Sequence, residues 1–209
     1  MEYLITMTTH VPPGTPDEDV ENMRAREARR ASELAREGHL LRLWRPPLQP
    51  GEWRTIGLLA ADNDTELETA LASMPLRLWR TDQAMPLIAH PNDPASAPVR
   101  APDPHVHSQE FLTTFTIRVP GGTPKEAVDE SHSLEAVRAH ELAEQGHLLR
   151  LWTLPGEARS LGLWRAADGA EMHTILESLP LAQWMTSEVT PLSAHPNDPA
   201  LLPTRHGLR

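Results

Sequence analysis

The stretch EYLITMTTHVPPGTP at residues 2–16 returns as EFLTTFTIRVPGGTP at residues 110–124, and GHLLRLW at 38–44 returns at 146–152. After Trp44 the first copy carries three extra residues around Pro46 to Leu48. The match then resumes and runs to a shared ending, HPNDPA, which starts at His90 and again at His195. A period this long, present only twice, is no solenoid repeat, so the repeating unit is a whole domain. The copies occupy residues 1–95 and 109–203. Between them residues 96–108, rich in proline and small side chains, read as an extended linker whose histidines His105 and His107 are solvated.

Each copy carries the same order of local signals. Tyr3, Ile5, Met7 and Thr9 alternate with Leu4, Thr6 and Thr8, the period of a strand. Thr15 and Pro16 offer a capping hydroxyl and a first-turn proline to a helix whose opening acids, Asp17, Glu18 and Asp19, suit the positive end of its dipole. Gly38 stops that helix. His39 to Arg45 and Trp53 to Ala61 read as a hairpin, Asp64 to Ser73 as a short helix, and Trp79 to Ala89 as a last strand ended by HPND. The order strand, helix, strand, strand, helix, strand is ferredoxin-like. The predicted fold is therefore α+β, two tandem ferredoxin-like βαββαβ domains packed as an intramolecular dimeric α+β barrel, fusion raising each half's effective concentration for the other.

Composition narrows the function. The 209 residues are 39% hydrophobic and 23% charged, enough apolar material for a real core. A formal charge of −10 argues against nucleic acid as a partner. Absence of cysteine removes disulfides, thiolate metal sites and cysteine nucleophiles. No stretch of 18 apolar residues or basic leader is present, so a cytoplasmic protein without a membrane partner is expected. No phosphate loop, nucleophile elbow or dinucleotide fingerprint occurs. The repeated histidines His39, His147, His90 and His195 lack paired metal-ligand spacing, and no metal is predicted.

Along the first helix Val20, Met23, Ala31 and Leu34 form an apolar stripe interrupted by Glu27; in the second copy Val128, Ala139 and Leu142 flank Glu135. A buried carboxylate there would have a raised pKa suited to proton transfer. The plainer alternative puts each glutamate at the stripe's edge, paired with Arg30 or Arg138. On the following strand, Arg42 and Trp44, and Arg150 and Trp152, suit a small carboxylate: the guanidinium fork clamps it and the indole excludes water. The alternative is a solvent-facing arginine beside a core tryptophan. The HPNDP segments read as turns with room for a role in closing a site.

Taken together, the MT of strand one, the helix ending REG, the LWR of Leu43 to Arg45, and PL followed by an aromatic and then HP resemble the muconolactone isomerase family, in both copies and over nearly the full length of each. The resemblance implies a small ferredoxin-like protein that assembles into a homo-oligomer and moves a proton within an unsaturated lactone acid in aromatic catabolism, with no cofactor. It places Glu27 and Glu135 as catalytic carboxylates. The leading reading is an isomerase in which Arg24, Arg42 and Arg45 hold the substrate carboxylate and stabilise developing charge, with Trp44 beside them and His132, Arg150 and Trp152 as second-copy counterparts. The second copy departs from the pattern: the family's basic residue one turn before the glutamate is Arg24 in the first copy and His132 in the second, and LWR becomes LWT at Thr153. Two other readings compete, a noncatalytic small-molecule binding or assembly module and a cofactor-free cyclase or oxygenase of specialised metabolism.

Overall fold

The computed structural model describes residues 1–94, 108–156 and 159–201. But for Ser108, the 96–108 linker, with His105 and His107, lies outside them. The first copy forms β1 (Glu2–Thr9), α1 (Asp17–Arg36), β2 (Leu40–Arg45), β3 (Arg54–Ala60), α2 (Asp64–Ala72), a 3-10 turn (Pro75–Trp79) and β4 (Arg80–Ala89). The second repeats the order with β5 (Gln109–Ile117), α3 (Lys125–Glu144), β6 (Leu148–Thr153), β7 (Arg159–Ala166), α4 (Gly169–Glu177), a 3-10 turn (Ala182–Trp184) and β8 (Met185–Ala194). Among the described residues the fold is mixed α+β, with eight antiparallel strands and four helices. Among the described residues no helix is long and apolar enough to cross a membrane.

The chain folds into two compact units that do not coincide with the two sequence copies. One comprises Met1–Pro86 and the chain from Ser193 onward; the other is Leu87–Leu192. The last strand of each copy therefore begins in one unit and ends in the other, and each HPND segment belongs to the unit built mostly from the other copy.

In the first unit β3 lies between β1 and β2, with Leu4 opposite Leu58 and Leu43 opposite Gly57, and the end of β8 extends the sheet by pairing Ala194 with Trp44 and Ser193 with Arg45. Its core gathers Tyr3, Ile5, Leu34, Leu40, Leu59, Leu67 and Leu71 under α1 and α2. In the second unit β5 lies between β7 and β8, β6 follows β7, and the end of β4 pairs Ile88 with Thr153 and Ala89 with Trp152. Phe111, Leu142, Leu148, Trp164, Met172 and Leu176 lead the core there.

The helix signals act where the sequence puts them, with one exception. Gly38, at φ +84°, ends α1 in a left-handed residue that lets Gly38 and His39 donate their N–H groups back to Ala35 and Leu34; Gly146 does the same for α3. The expected Thr15 cap is not made. Pro16 occupies the N-cap position, and the Thr15 hydroxyl instead donates to the Pro12 carbonyl at 2.7 Å, closing the turn before the helix.

The HPND segments are held by buried ion pairs. Asp198, 1% exposed, accepts from the Arg42 guanidinium at 3.1–3.2 Å and from the Leu43 N–H at 3.1 Å, and Arg42 lies over the Trp44 ring at 4.8 Å. Asp93, Arg150, Leu151 and Trp152 repeat the arrangement in the second unit. Breaking such a pair strands a buried charge. Asp198→Ala is accordingly expected to destabilise its unit by about 3–5 kcal/mol, read as a lowered urea midpoint.

Candidate functional site

Glu27 sits in the middle of α1, 8% exposed, on the face that also buries Ala31 and Leu34. Its two oxygens have separate donors. The Leu76 N–H donates to Oε2 at 2.8 Å, and Arg80 Nη1 donates to Oε1 at 2.8 Å. Arg80 is itself buried and shared: its Nε donates to Asp82 at 2.6 Å, and Arg77 supports Asp82 from outside. Burial raises the Glu27 pKa above the ordinary carboxylate value, against the opposing pull of the Leu76 N–H and the Arg80 charge. The edge pairing with Arg30 is not found. Arg30 turns outward to Ser73, Glu33 and Glu37, and Arg138 likewise goes to Ser178 and Glu141.

Glu27 lines a cavity of about 730 Å³. Arg24, Arg45, Trp53, Arg80 and His195 share its walls. Arg24 lies over the Trp53 ring at 4.5 Å and pairs with Glu21 at 2.6 Å, while Arg54 pairs with Glu52 at 3.0 Å. Arg45, at the exposed end of β2, has no carboxylate partner among the described residues. The His195 ring accepts the Asn197 N–H on Nδ1 at 3.1 Å. Burial and the nearby Arg45 charge push its pKa down to about 4, against Asp198.

Arg42 and Trp44, expected to bind a substrate carboxylate, are not on these walls. Asp198 occupies the Arg42 fork, and Trp44, 1% exposed, is packed beneath that guanidinium. Arg150 and Trp152 are withdrawn in the same way by Asp93. In each case the anion that fits the fork comes from the chain itself.

In the second unit Glu135 repeats the position of Glu27 with a different surrounding. The Leu181 N–H donates to it at 3.0 Å, but the counterpart of Arg80 is Met185. Burial again raises its pKa, opposed by the Leu181 N–H and by His132. The cavity is about 80 Å³ and is lined by His90, His132, Phe115 and Trp164 among others. Phe115 and Trp164 stand where the first copy has Met7 and Leu59, packed edge to face at 6.1 Å. The Trp164 indole donates to Thr113 at 2.8 Å and lies across Gly162, where a Cβ would collide with it. Two aromatic rings thus fill the space that is open in the first unit.

The sequence profile of the muconolactone delta-isomerase family matches residues 1–93 and 109–198, both copies almost end to end. The chain belongs to this family. Muconolactone delta-isomerase 1 of Acinetobacter lwoffii is 33% identical over 87 residues, 42% of this chain and 91% of that protein. The muconolactone delta-isomerase of Cupriavidus pinatubonensis is 29% identical, over 42% of this chain and 95% of that protein. Each of these relatives is thus about the length of a single copy. Among solved structures, a heme-binding protein of Thermus thermophilus superposes with a TM-score of 0.59 at 11% identity over 94% of this chain and 93% of that one. A mutant chlorite dismutase of Candidatus Nitrospira defluvii also scores 0.59 at 11% identity, over 92% and 91%. At that identity the likeness is one of fold.

Of the residues singled out in this isomerase-family chain, the structure brings Glu27, Arg24 and Arg45 onto one cavity and Glu135 and His132 onto another. Sequence reasoning passed over Arg80, Asp82, Trp53 and the site role of His195. The sequence held no distinct signal for Arg80, since its counterpart Met185 is one of several differences in that segment, Asp82 against Ser187 among them. Among the described residues no cluster of three or more His, Asp or Glu side chains is arranged to hold a metal.

The raised pKa of Glu135 has a consequence for stability. Its folded value lies above its unfolded one, so the stability linked to it is present in acid and lost as pH rises through the folded value. Glu135→Gln cannot lose a proton. The stability of that variant relative to wild type should rise between acid and neutral pH, as followed by urea unfolding across the range.

Proposed function

We propose that the cavity of the first unit carries out a cofactor-independent isomerisation, with Glu27 moving a proton between two carbons of a small unsaturated lactone acid. The observation that carries this reading is a buried carboxylate of raised pKa on the wall of a cavity that also presents Arg45, a guanidinium with no carboxylate partner among the described residues. Ionised Glu27 takes a proton from the saturated ring carbon γ to the lactone carbonyl, the freed pair forms a new double bond to the neighbouring carbon, and the electrons of the original double bond move onto the carbonyl oxygen. The same carboxyl then returns the proton to the carbon beside the carbonyl. One group serves as base and then as acid, and a pKa lifted toward neutrality suits both roles.

The surroundings support the exchange. Each oxygen of Glu27 accepts one hydrogen bond and keeps a lone pair for the incoming proton. Asp82 remains on Arg80 when Glu27 is neutral, so protonation does not strand a buried cation. Arg45 holds the substrate carboxylate, and Arg24, braced on Trp53, closes the side of the cavity.

The family relatives named above are muconolactone delta-isomerases, and this reading takes a lactone of that type as substrate, in aromatic catabolism and in the cytoplasm. It includes tandem ferredoxin-like copies forming an intramolecular α+β barrel, and a homo-oligomer of such chains. It assigns turnover to Glu27 alone, because the cavity at Glu135 is too small for a lactone acid.

Glu27→Gln should lower the rate of exchange of a carbon-bound hydrogen of muconolactone with deuterated water by about 10²–10⁴-fold, followed by proton NMR. Glu135→Gln should leave the rate unchanged; loss of turnover in that variant alone would reject the single-site assignment. Arg45→Ala should raise KM for the lactone acid by about tenfold or more, with a smaller change in kcat, in steady-state assays.

A further inference from the structure

The HPND segment of the second copy ends in the first unit, and its histidine faces the cavity that holds Glu27. We propose that His195 is a catalytic residue of this cavity, its Nε2–H donating a hydrogen bond to the lactone carbonyl oxygen as negative charge develops there. This rests on the reading of Glu27 given above and adds the group that receives the charge.

Three features converge. The first is the tautomer. A backbone N–H can only donate, so the bond from Asn197 to Nδ1 leaves the proton of the neutral ring on Nε2. Nε2 has no protein partner among the described residues. The second is rigidity. The His195 N–H donates to the Leu43 carbonyl at 3.2 Å, the Asp198 N–H donates to the His195 carbonyl at 2.8 Å, and the Asp198 carboxylate is locked to Arg42 and Leu43. An imidazole so held presents its donor without reorganising as charge appears. The third is position. Ser193 pairs with Arg45 across the sheet, and the histidine and the carboxylate-binding arginine line the same cavity, within electrostatic reach of each other. The low pKa keeps the ring neutral over the working range, as a donor that does not surrender its proton.

His90 supplies an internal control. It accepts the Asn92 N–H at 3.1 Å and stands beside the matching Asp93 clamp, but it faces the cavity filled by Phe115 and Trp164. The same turn is built twice and opens onto usable space once.

Two measurements test the assignment. With muconolactone, His195→Leu should lower kcat by about 10²–10³-fold with KM little changed, His195→Gln should recover part of the loss through its amide donor, and His90→Leu should match wild type. Separately, nitrogen NMR of ring-labelled wild type should show His195 with the proton on Nε2, and titration with a saturated γ-butyrolactone bearing an acetate arm, which cannot isomerise, should shift that Nε2 resonance saturably. An unchanged kcat in His195→Leu, an unmoved His195 resonance in the complex, or no saturable binding would each overturn the proposal. If His195→Leu retains full kcat while Glu27→Gln does not, the role of His195 fails and that of Glu27 stands. If wild type does not convert muconolactone, the reading of Glu27 fails, and the saturated lactone still decides whether His195 binds a carbonyl.

Discussion

The buried pair between Arg42 and Asp198 is the contact on which the first unit's cavity depends. It joins residues 156 apart in sequence and ties the end of the second copy to β2. The pair is acceptable inside the protein because both charges are matched, the Leu43 N–H supplies a further donor, and the Trp44 ring covers the guanidinium. Everything that the terminal segment brings to the cavity follows from this clamp, the fixed ring of His195 first of all. The clamp between Arg150 and Asp93 repeats the solution in the other unit.

A carboxylate in the middle of an apolar helix face is costly unless its lone pairs are met. Glu27 meets this condition with one backbone donor and one guanidinium, and Asp82 balances the guanidinium. Glu135 has the backbone donor without the guanidinium, since Met185 stands in place of Arg80. The two copies have therefore diverged around a retained carboxylate. One has the cation and the open volume; the other has Phe115, Trp164 and Met185 where the first has Met7, Leu59 and Arg80, and its cavity is the smaller. In a close-packed interior two added rings suffice to remove a small-molecule site.

Much of the element order was legible because it rests on local rules. The alternation in β1, the stripe on α1 and the left-handed glycine at Gly38 depend only on neighbours within a few residues. The inward position of Glu27 was legible for the same reason, as helical spacing puts it between Val20 and Ala31. The capping role of Thr15 was misjudged because the chain enters the helix one residue later, with Pro16 at the cap.

What the sequence determined by itself was the duplication, the order of strands and helices and the face of each helix on which a carboxylate interrupts the core. Only the tertiary structure decided which charges meet. Arg42 looked like a ligand for an outside carboxylate until folding delivered Asp198 to it, and Arg80 looked unremarkable until it met Glu27 across 53 residues. Periodicity is a property of adjacent residues and survives in one dimension. The partner of a buried charge and the volume left between side chains arise from residues far apart in sequence, and exist only once the chain has closed on itself.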